Sequence, residues 1–262
     1  MNCRICEGEL QLIFEATVLN KYQVKYFACR SCGALQSEPP YWLEEAYRHS
    51  LNLGDTGLVH RNQRAARITA SIIILLLGRK KRFLDYAGGT GLFTRLMRDL
   101  GFDFYWTDPY TPNVLARGFE GGSPEVYSLV TTFESFEHFV NPKEEVEQLL
   151  KLSDTILLST ELLPEPIPNP SEWYYYGFDH GQHVMFYTHA AFQSLARQFG
   201  LTYYPIGNYH LLTRKKFSMT MSMLLSLPQL KYFLYAASFP LLLLMRSKTM
   251  SDQQLLTQKR PS

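Results

Sequence analysis

A strand that runs straight into a glycine-rich turn constrains this chain more than any other feature. The segment reads Phe83-Leu84-Asp85-Tyr86-Ala87-Gly88-Gly89-Thr90-Gly91. It is apolar at first, then almost bare of side chains. Glycine permits the positive φ of a sharp turn and lets a ligand reach the backbone. A helical pattern follows over residues 93–100, and Gly101 stops it. Amides at the start of such a helix face whatever the turn holds. Strand, turn, helix and a second strand over residues 104–107 make the first unit of a parallel sheet.

The alternation continues. Residues 126–133, 155–160 and 202–206 read as strands, and 143–152 and 189–199 as helices. The expected fold is α/β: a Rossmann-like parallel sheet over residues 81–210 with helices on both faces. Residues 38–80 read as a helical linker that covers the cofactor. It holds helices at 41–47 and 58–77, with a polar loop at 52–57 between them. The second helix puts Ile68, Ile72 and Leu75 on one face and ends at Gly78. Residues 163–176 break the rhythm with four prolines, Trp173 and three tyrosines. Such an insertion is either a lid or substrate wall, or a loop whose aromatics pack on the core.

Two cofactor classes compete for the glycine turn. A dinucleotide fingerprint wants Gly-x-Gly-x-x-Gly, and Thr94 stands where the third glycine belongs. The alternative is an acidic residue followed by Gly-x-Gly-x-Gly, the pattern that holds S-adenosylmethionine. Asp85-x-Ala87-x-Gly89-x-Gly91 fits it with one departure, Ala87 for the first glycine; Gly88 beside it keeps the turn flexible. Asp108 closes the next strand. A carboxylate there accepts hydrogen bonds from both ribose hydroxyls of an adenosine.

The cysteines are Cys3, Cys6, Cys29 and Cys32, two Cys-x-x-Cys pairs with none left over. Cys3 and Cys6 interrupt any apolar leader, so a reducing cytoplasm is expected, where such pairs bind metal more often than they cross-link. Four thiolates make the closed tetrahedral set of a structural Zn2+. Residues 1–37 therefore read as a small N-terminal zinc ribbon, with strand-like stretches at 10–15 and 23–27.

The stretch Phe133-Glu134-Ser135-Phe136-Glu137-His138-Phe139-Val140-Asn141-Pro142 resembles the Glu-x-x-Glu-His-x-x-x-Pro sequence after the fourth strand of class I S-adenosylmethionine methyltransferases. Residues 173–187, ending Gly181-Gln182-His183-Val184-Met185-Phe186-Tyr187, are similar to a family of these enzymes found with glycan and surface-polysaccharide genes. The ribbon, with Leu35-Gln36 after its last cysteine, resembles the zinc-binding domain of sugar C-methyltransferases that act on nucleotide-linked deoxysugars. The resemblance spans roughly residues 1–210. It implies that Asp85, Gly89 and Gly91, with Ala87 and Gly88 between them, surround the amino-acid end of S-adenosylmethionine. Asp108 would hold the ribose. Phe133 and Glu134 would line the sulfonium region, although Phe133 also reads as a core aromatic.

Methyl transfer is an in-line displacement from a sulfonium, and positioning supplies much of its rate. A hydroxyl or carbon acceptor gains from a general base, a role that suits histidine near neutral pH. His138 and His183 are the candidates, each with a packing role as its alternative. Where the sugar C-methyltransferases read Tyr-His-Glu-His, this chain reads His180-Gly181-Gln182-His183. A neutral amide cannot serve as base, and the chain is short for the C-terminal domain those enzymes carry. The expectation moves to O-methylation of a sugar or glycan intermediate of surface-polysaccharide biosynthesis, with His183 as base or anchor.

Two other readings compete. Zinc ribbons also precede RNA methyltransferases, but a net charge of +2 without a basic stripe argues against nucleic acid. A non-catalytic ribbon and Rossmann-like scaffold has no need of a ribose-binding carboxylate. The last segment, 211–262, reads as an apolar helical tail. Its longest apolar run, 232–245, falls short of the roughly 20 residues of a membrane span. Arg214, Lys215, Lys216, Arg246 and Lys248 flank it. Residues 211–250 thus suit either peripheral contact with the inner membrane face or a helix pair packed on the domain or on a second subunit of a homo-oligomer. Residues 251–262 read as a solvated end.

Overall fold

The computed structural model describes residues 1–48, 56–225 and 230–258. Most of the expected loop at 52–57 and the last residues of the tail lie outside the described residues. Two sheets organise the rest. The first is four-stranded and orders β1 (Leu10–Val18), β2 (Tyr22–Cys29), β3 (Leu35–Ser37) and β8 (Met185–Phe186) side by side. Between the two sheets in sequence come the short helix α1 (Leu43–Ala46) and the longer α2 (Leu58–Ile72).

The second sheet has six strands in the order β5 (Asp103–Thr107), β4 (Arg82–Tyr86), β6 (Val130–Phe133), β7 (Thr155–Ser159), β10 (Tyr209–Thr213) and β9 (Thr202–Ile206). Four of them run parallel, as expected. The last two do not. β10 is antiparallel to both β7 and β9, so the sheet is mixed. The cause is local. Gly207 and Asn208 join β9 to β10, Ile206 pairs Tyr209, and Gly207 takes φ +63. A two-residue Gly-Asn link is a hairpin signal.

Side chains alternate across the central strands. Phe83 and Leu157 face α2 and α3 (Leu92–Asp99), where Ile68, Ile72, Phe93 and Met97 pack. Leu84, Ile156 and Leu158 face α4 (Pro142–Leu152) and α5 (His189–Gln198), against Val146, Leu149, Phe192 and Leu195. Helices therefore cover both faces. α2 continues through a wider π-type turn, Ile73–Leu77, before Gly78 ends it at φ +90. That turn shifts the helical register, and Leu75, expected on the buried face, is exposed instead.

Hydrogen bonds tie the N-terminal segment to the first sheet, and the cysteine loop to the start of α5. Arg4 donates to the Ser37 carbonyl at 2.7 Å and the Val184 carbonyl at 3.3 Å. Thr188 donates to the Cys32 carbonyl at 2.6 Å. From the 163–176 insertion, Trp173, Tyr175 and Tyr176 pack into a core with Tyr26, Trp42 and Phe186. Trp173, Tyr175 and Tyr176 are buried, while Tyr174 is exposed.

The tail, α6 (Met219–Leu225), α7 (Leu230–Leu243) and α8 (Thr249–Gln258), is fastened to the domain. Ser238 on α7 meets Ser71 on α2 at 2.8 Å. Asp252 forms a two-pronged ion pair with Arg98, at 2.7 and 2.8 Å, and both are buried. The expected solvated end is thus anchored at Asp252. Yet Phe233, Phe239, Leu243 and Leu244 stay exposed. Among the described residues no helix is long and apolar enough to cross a membrane.

Candidate functional site

One cleft of about 960 Å³ opens over the carboxyl ends of β4, β5 and β6, where open α/β sheets bind their ligands. The glycine turn forms one end of it. Ala87, Gly89 and Gly91 all take left-handed backbone, at φ +56, +53 and +84. Ala87 therefore stands in a conformation that favours glycine, which is why the pattern asks for glycine there. Nothing would meet a Cβ on Gly89, so its surface is open to a ligand. A Cβ on Gly88 would come within 2.7 Å of both Asp85 and Trp106.

Asp85 is buried at the end of β4 and accepts from Thr131 at 3.1 Å and Thr94 at 3.2 Å. Burial pushes its carboxyl up to about 7 against those two hydrogen bonds. Asp108 lies across the turn. One of its oxygens accepts from the Gly89 amide at 2.8 Å, the other from the Tyr110 and Thr111 amides, each at 2.8 Å. Three of its roughly four acceptor positions are thus taken by main chain, and the carboxylate is locked in place beside Gly89.

Phe133 ends β6 and packs edge-on against Phe93 at 4.9 Å and Tyr209 at 5.8 Å, while still lining the cleft. Glu134 follows with φ +49, an unusual backbone for a residue with a side chain. Its carboxylate accepts from Ser159 at 2.5 Å. Strain of this sort tends to sit at functional sites.

The far end of the same cleft holds the histidines. The rings of His138 and His183 are 4.9 Å apart, and His180 lies 4.7 Å from His183. His183 gives its Nδ1 hydrogen to the Tyr175 carbonyl at 2.6 Å, so Nε2 carries the lone pair. The Tyr47 hydroxyl sits 3.1 Å from His138 Nδ1. Burial lowers both histidines, His138 to about 4, so both rings are neutral near pH 7. Gln182 donates to the Ala46 carbonyl at 2.9 Å and holds the end of α1.

Sequence reasoning missed Glu137 as a site residue. It is fully buried beside the histidines and accepts from the Tyr175 hydroxyl at 2.6 Å. Burial first, and then the Glu134 charge, raises it to about 8. Its signal was the second glutamate of Glu-x-x-Glu-His. Tyr47 and Tyr175 carried no signal beyond being aromatic.

The four cysteine sulfurs gather at the other end of the N-terminal sheet, all within 4.8 Å of one another. Cys3 lies 3.6 Å from Cys32 and Cys6 3.3 Å from Cys29, too far for disulfide bonds. The donor set and spacing fit a tetrahedral zinc.

The family model described as a methyltransferase domain matches residues 59–206. No curated protein matches the chain in sequence. Among solved structures, the chain is similar to the magnesium protoporphyrin IX methyltransferase from Synechocystis PCC 6803 with bound SAH, at 14% identity and TM-score 0.42 over 65% of this chain and 90% of that one. It is also similar to the plantazolicin methyltransferase in complex with SAH, at 17% identity and TM-score 0.44 over 73% of this chain and 83% of that one.

Proposed function

The chain belongs to the methyltransferase domain family, and from that membership we propose that it moves the methyl group of S-adenosylmethionine to a hydroxyl of a sugar or glycan intermediate of surface-polysaccharide biosynthesis. One observation carries the reading. A single cleft runs from the glycine turn and Asp108 to His138 and His183, so a methyl donor and an acceptor can share it.

Asp85, Ala87, Gly88, Gly89 and Gly91 suit the amino-acid end of the donor, and Asp108 its ribose. Phe133 and Glu134 stand where a sulfonium would meet an aromatic face and a negative charge. The acceptor oxygen attacks the methyl carbon in line. The carbon–sulfur bond breaks and its electron pair stays on sulfur as a thioether. The hydroxyl proton leaves as the new bond forms, and in this reading His183 Nε2 accepts it or anchors that oxygen.

The cleft is lined by Glu134, Glu144, Glu145 and Glu161, by Arg61 and Arg64, and by Tyr47 and Tyr174. Carboxylates and aromatic rings suit a polyhydroxylated sugar. A structural zinc on Cys3, Cys6, Cys29 and Cys32 belongs to this reading. So does a cytoplasmic place at the inner membrane face: α7 exposes Phe233, Phe239 and Leu243, and exposed Leu244 and Arg246 follow it, a pairing that suits an anionic surface and a lipid-linked acceptor.

The test is a nucleotide-sugar and lipid-linked glycan panel run against bulk RNA with radiolabelled S-adenosylmethionine. Label on a sugar oxygen is expected. Label on RNA alone would sink the acceptor class, and no calorimetric binding of the donor at millimolar concentration would sink the whole reading.

A further inference from the structure

The acceptor end of the cleft carries a donor set that methyl transfer by itself does not require. One carboxylate oxygen of Glu137 and one ring nitrogen each of His138 and His183 lie within 4.8 Å of one another. A tetrahedral ion with bonds of 2.0–2.2 Å spaces its ligands by roughly 3.3–3.6 Å. Drawing the three atoms somewhat closer together would match that spacing.

Each of the three is held from behind. His183 is fixed through Nδ1 by the Tyr175 carbonyl, which turns Nε2 toward the cleft. Glu137 Oε1 is fixed by the Tyr175 hydroxyl. The His138 ring meets the Tyr47 hydroxyl through Nδ1 at 3.1 Å. Outer contacts of this kind orient metal-binding histidines and carboxylates and set the ring tautomer. The second oxygen of Glu137, Oε2, is buried without a hydrogen-bond partner, in a residue only 1% exposed. A buried carboxylate oxygen left unmet is costly unless something meets it. A cation would meet it.

We propose that Glu137, His138 and His183 bind a divalent transition ion of the zinc kind, whose open position takes the acceptor oxygen. Two imidazoles and a carboxylate suit such an ion and leave a place for a further ligand, unlike the closed thiolate set of the ribbon. The use of that place rests on the methyltransferase reading; the ion site does not. An oxygen on such an ion loses its proton to water far more readily, as bound water does when its pKa falls from 15.7 to about 7. His183 then anchors the acceptor through the ion rather than as a free base. Where His138 ligates through Nδ1, the Tyr47 hydroxyl turns aside.

The full chain is equilibrated with Zn2+, freed of loose ion by gel filtration, and its zinc counted by elemental analysis. Wild type should hold one ion per chain more than either Glu137→Gln or His183→Ala, with donor binding as the control for folding. Equal counts in all three overturn the site. Co2+ gives a readout that needs no variant. A nitrogen- and oxygen-ligated component should accompany the sulfur charge-transfer bands of the thiolate site, and bands of the thiolate site alone overturn the proposal. Methyl transfer with no ion beyond the thiolate site removes the metal and leaves the function. A second ion without donor binding does the reverse.

Discussion

The two ends of the cleft are built in different ways. The cofactor end is nearly all main chain from one contiguous unit: β4, the turn, α3 and β5. Its groups are fixed by local hydrogen bonds such as Gly89 to Asp108. The acceptor end is nearly all side chain and comes from distant segments, Tyr47, Glu134 to His138, and Tyr174 to His183. Its last segment runs directly into β8, which is the edge strand of the ribbon sheet, with Met185 opposite Gln36 and Phe186 opposite Leu35. On this contrast the acceptor end is expected to depend on the ribbon more than the cofactor end does.

That difference predicts its largest consequence at the cysteines. A structural zinc site contributes on the order of 10 kcal/mol to folding, so Cys29→Ser combined with Cys32→Ser should unfold the ribbon and release β8. Methyl transfer should fall below detection, while calorimetry finds donor affinity within about tenfold of wild type. Equal loss of donor binding would show that the two ends are one unit. Next comes His183→Ala, which touches only the acceptor end. A positioned base or anchor is worth about 10²–10⁴ in rate, so kcat should drop by that much with donor affinity unchanged. Unchanged turnover removes His183 from the chemistry. Asp108→Ala should do the opposite. Losing charge-assisted hydrogen bonds of about 1.5–3 kcal/mol should weaken donor binding about 10–100-fold, with little change in the KM of the acceptor.

The same difference explains what could be read from the sequence. The glycine turn and Asp108 announce themselves because their function is written in backbone conformation, and few residues tolerate it. Arg82–Tyr86 was legible as a strand because it is buried on both faces. Tyr209–Thr213 was missed although Gly207-Asn208 is a hairpin link, because the alternation of strands and helices favoured a parallel reading. Glu137 belongs to a motif that does not by itself mark it as a site. Its importance comes from burial and from Tyr175, neither of which is local in sequence. Leu75 went astray because a π-type turn leaves no mark in a 3.6-residue pattern. The partnership of β3 with β8 joins residues on either side of β4 to β7, and nothing in the spacing of either strand points to the other.

A pH test sharpens the cofactor end alone. Burial raises the Asp85 carboxyl from its ordinary range to about 7. The folded chain then keeps a proton that the unfolded chain has lost. Stability from this group is present at low pH, falls as pH rises through the window from about 4 to 7, and is flat above it. Relative to Asp85→Asn, wild type should lose about 1.4 kcal/mol per pH unit within that window. Denaturant unfolding at pH 5.5 and 6.5 reads the slope. Parallel curves for the two proteins would show that Asp85 is ionised in the folded chain throughout.

The smallest effect tests the one departure from the glycine pattern. Ala87 holds φ +56, a left-handed backbone that costs an L-residue roughly 1–2 kcal/mol. Glycine would remove that strain but enlarge the freedom of the unfolded chain, at a cost of about 0.4–1 kcal/mol. The balance favours Ala87→Gly by about 0.5–1 kcal/mol, a rise in Tm of roughly 1–4 °C for a domain of this size. Donor affinity should hold or improve, since Gly89 and Gly91 already give the turn its shape. His183→Ala should add to this change without coupling, because the two residues sit at opposite ends of the cleft and share no partner. Coupling above about 0.5 kcal/mol in that double mutant would mean that the turn and the histidines move together, and the division between the two ends would fail.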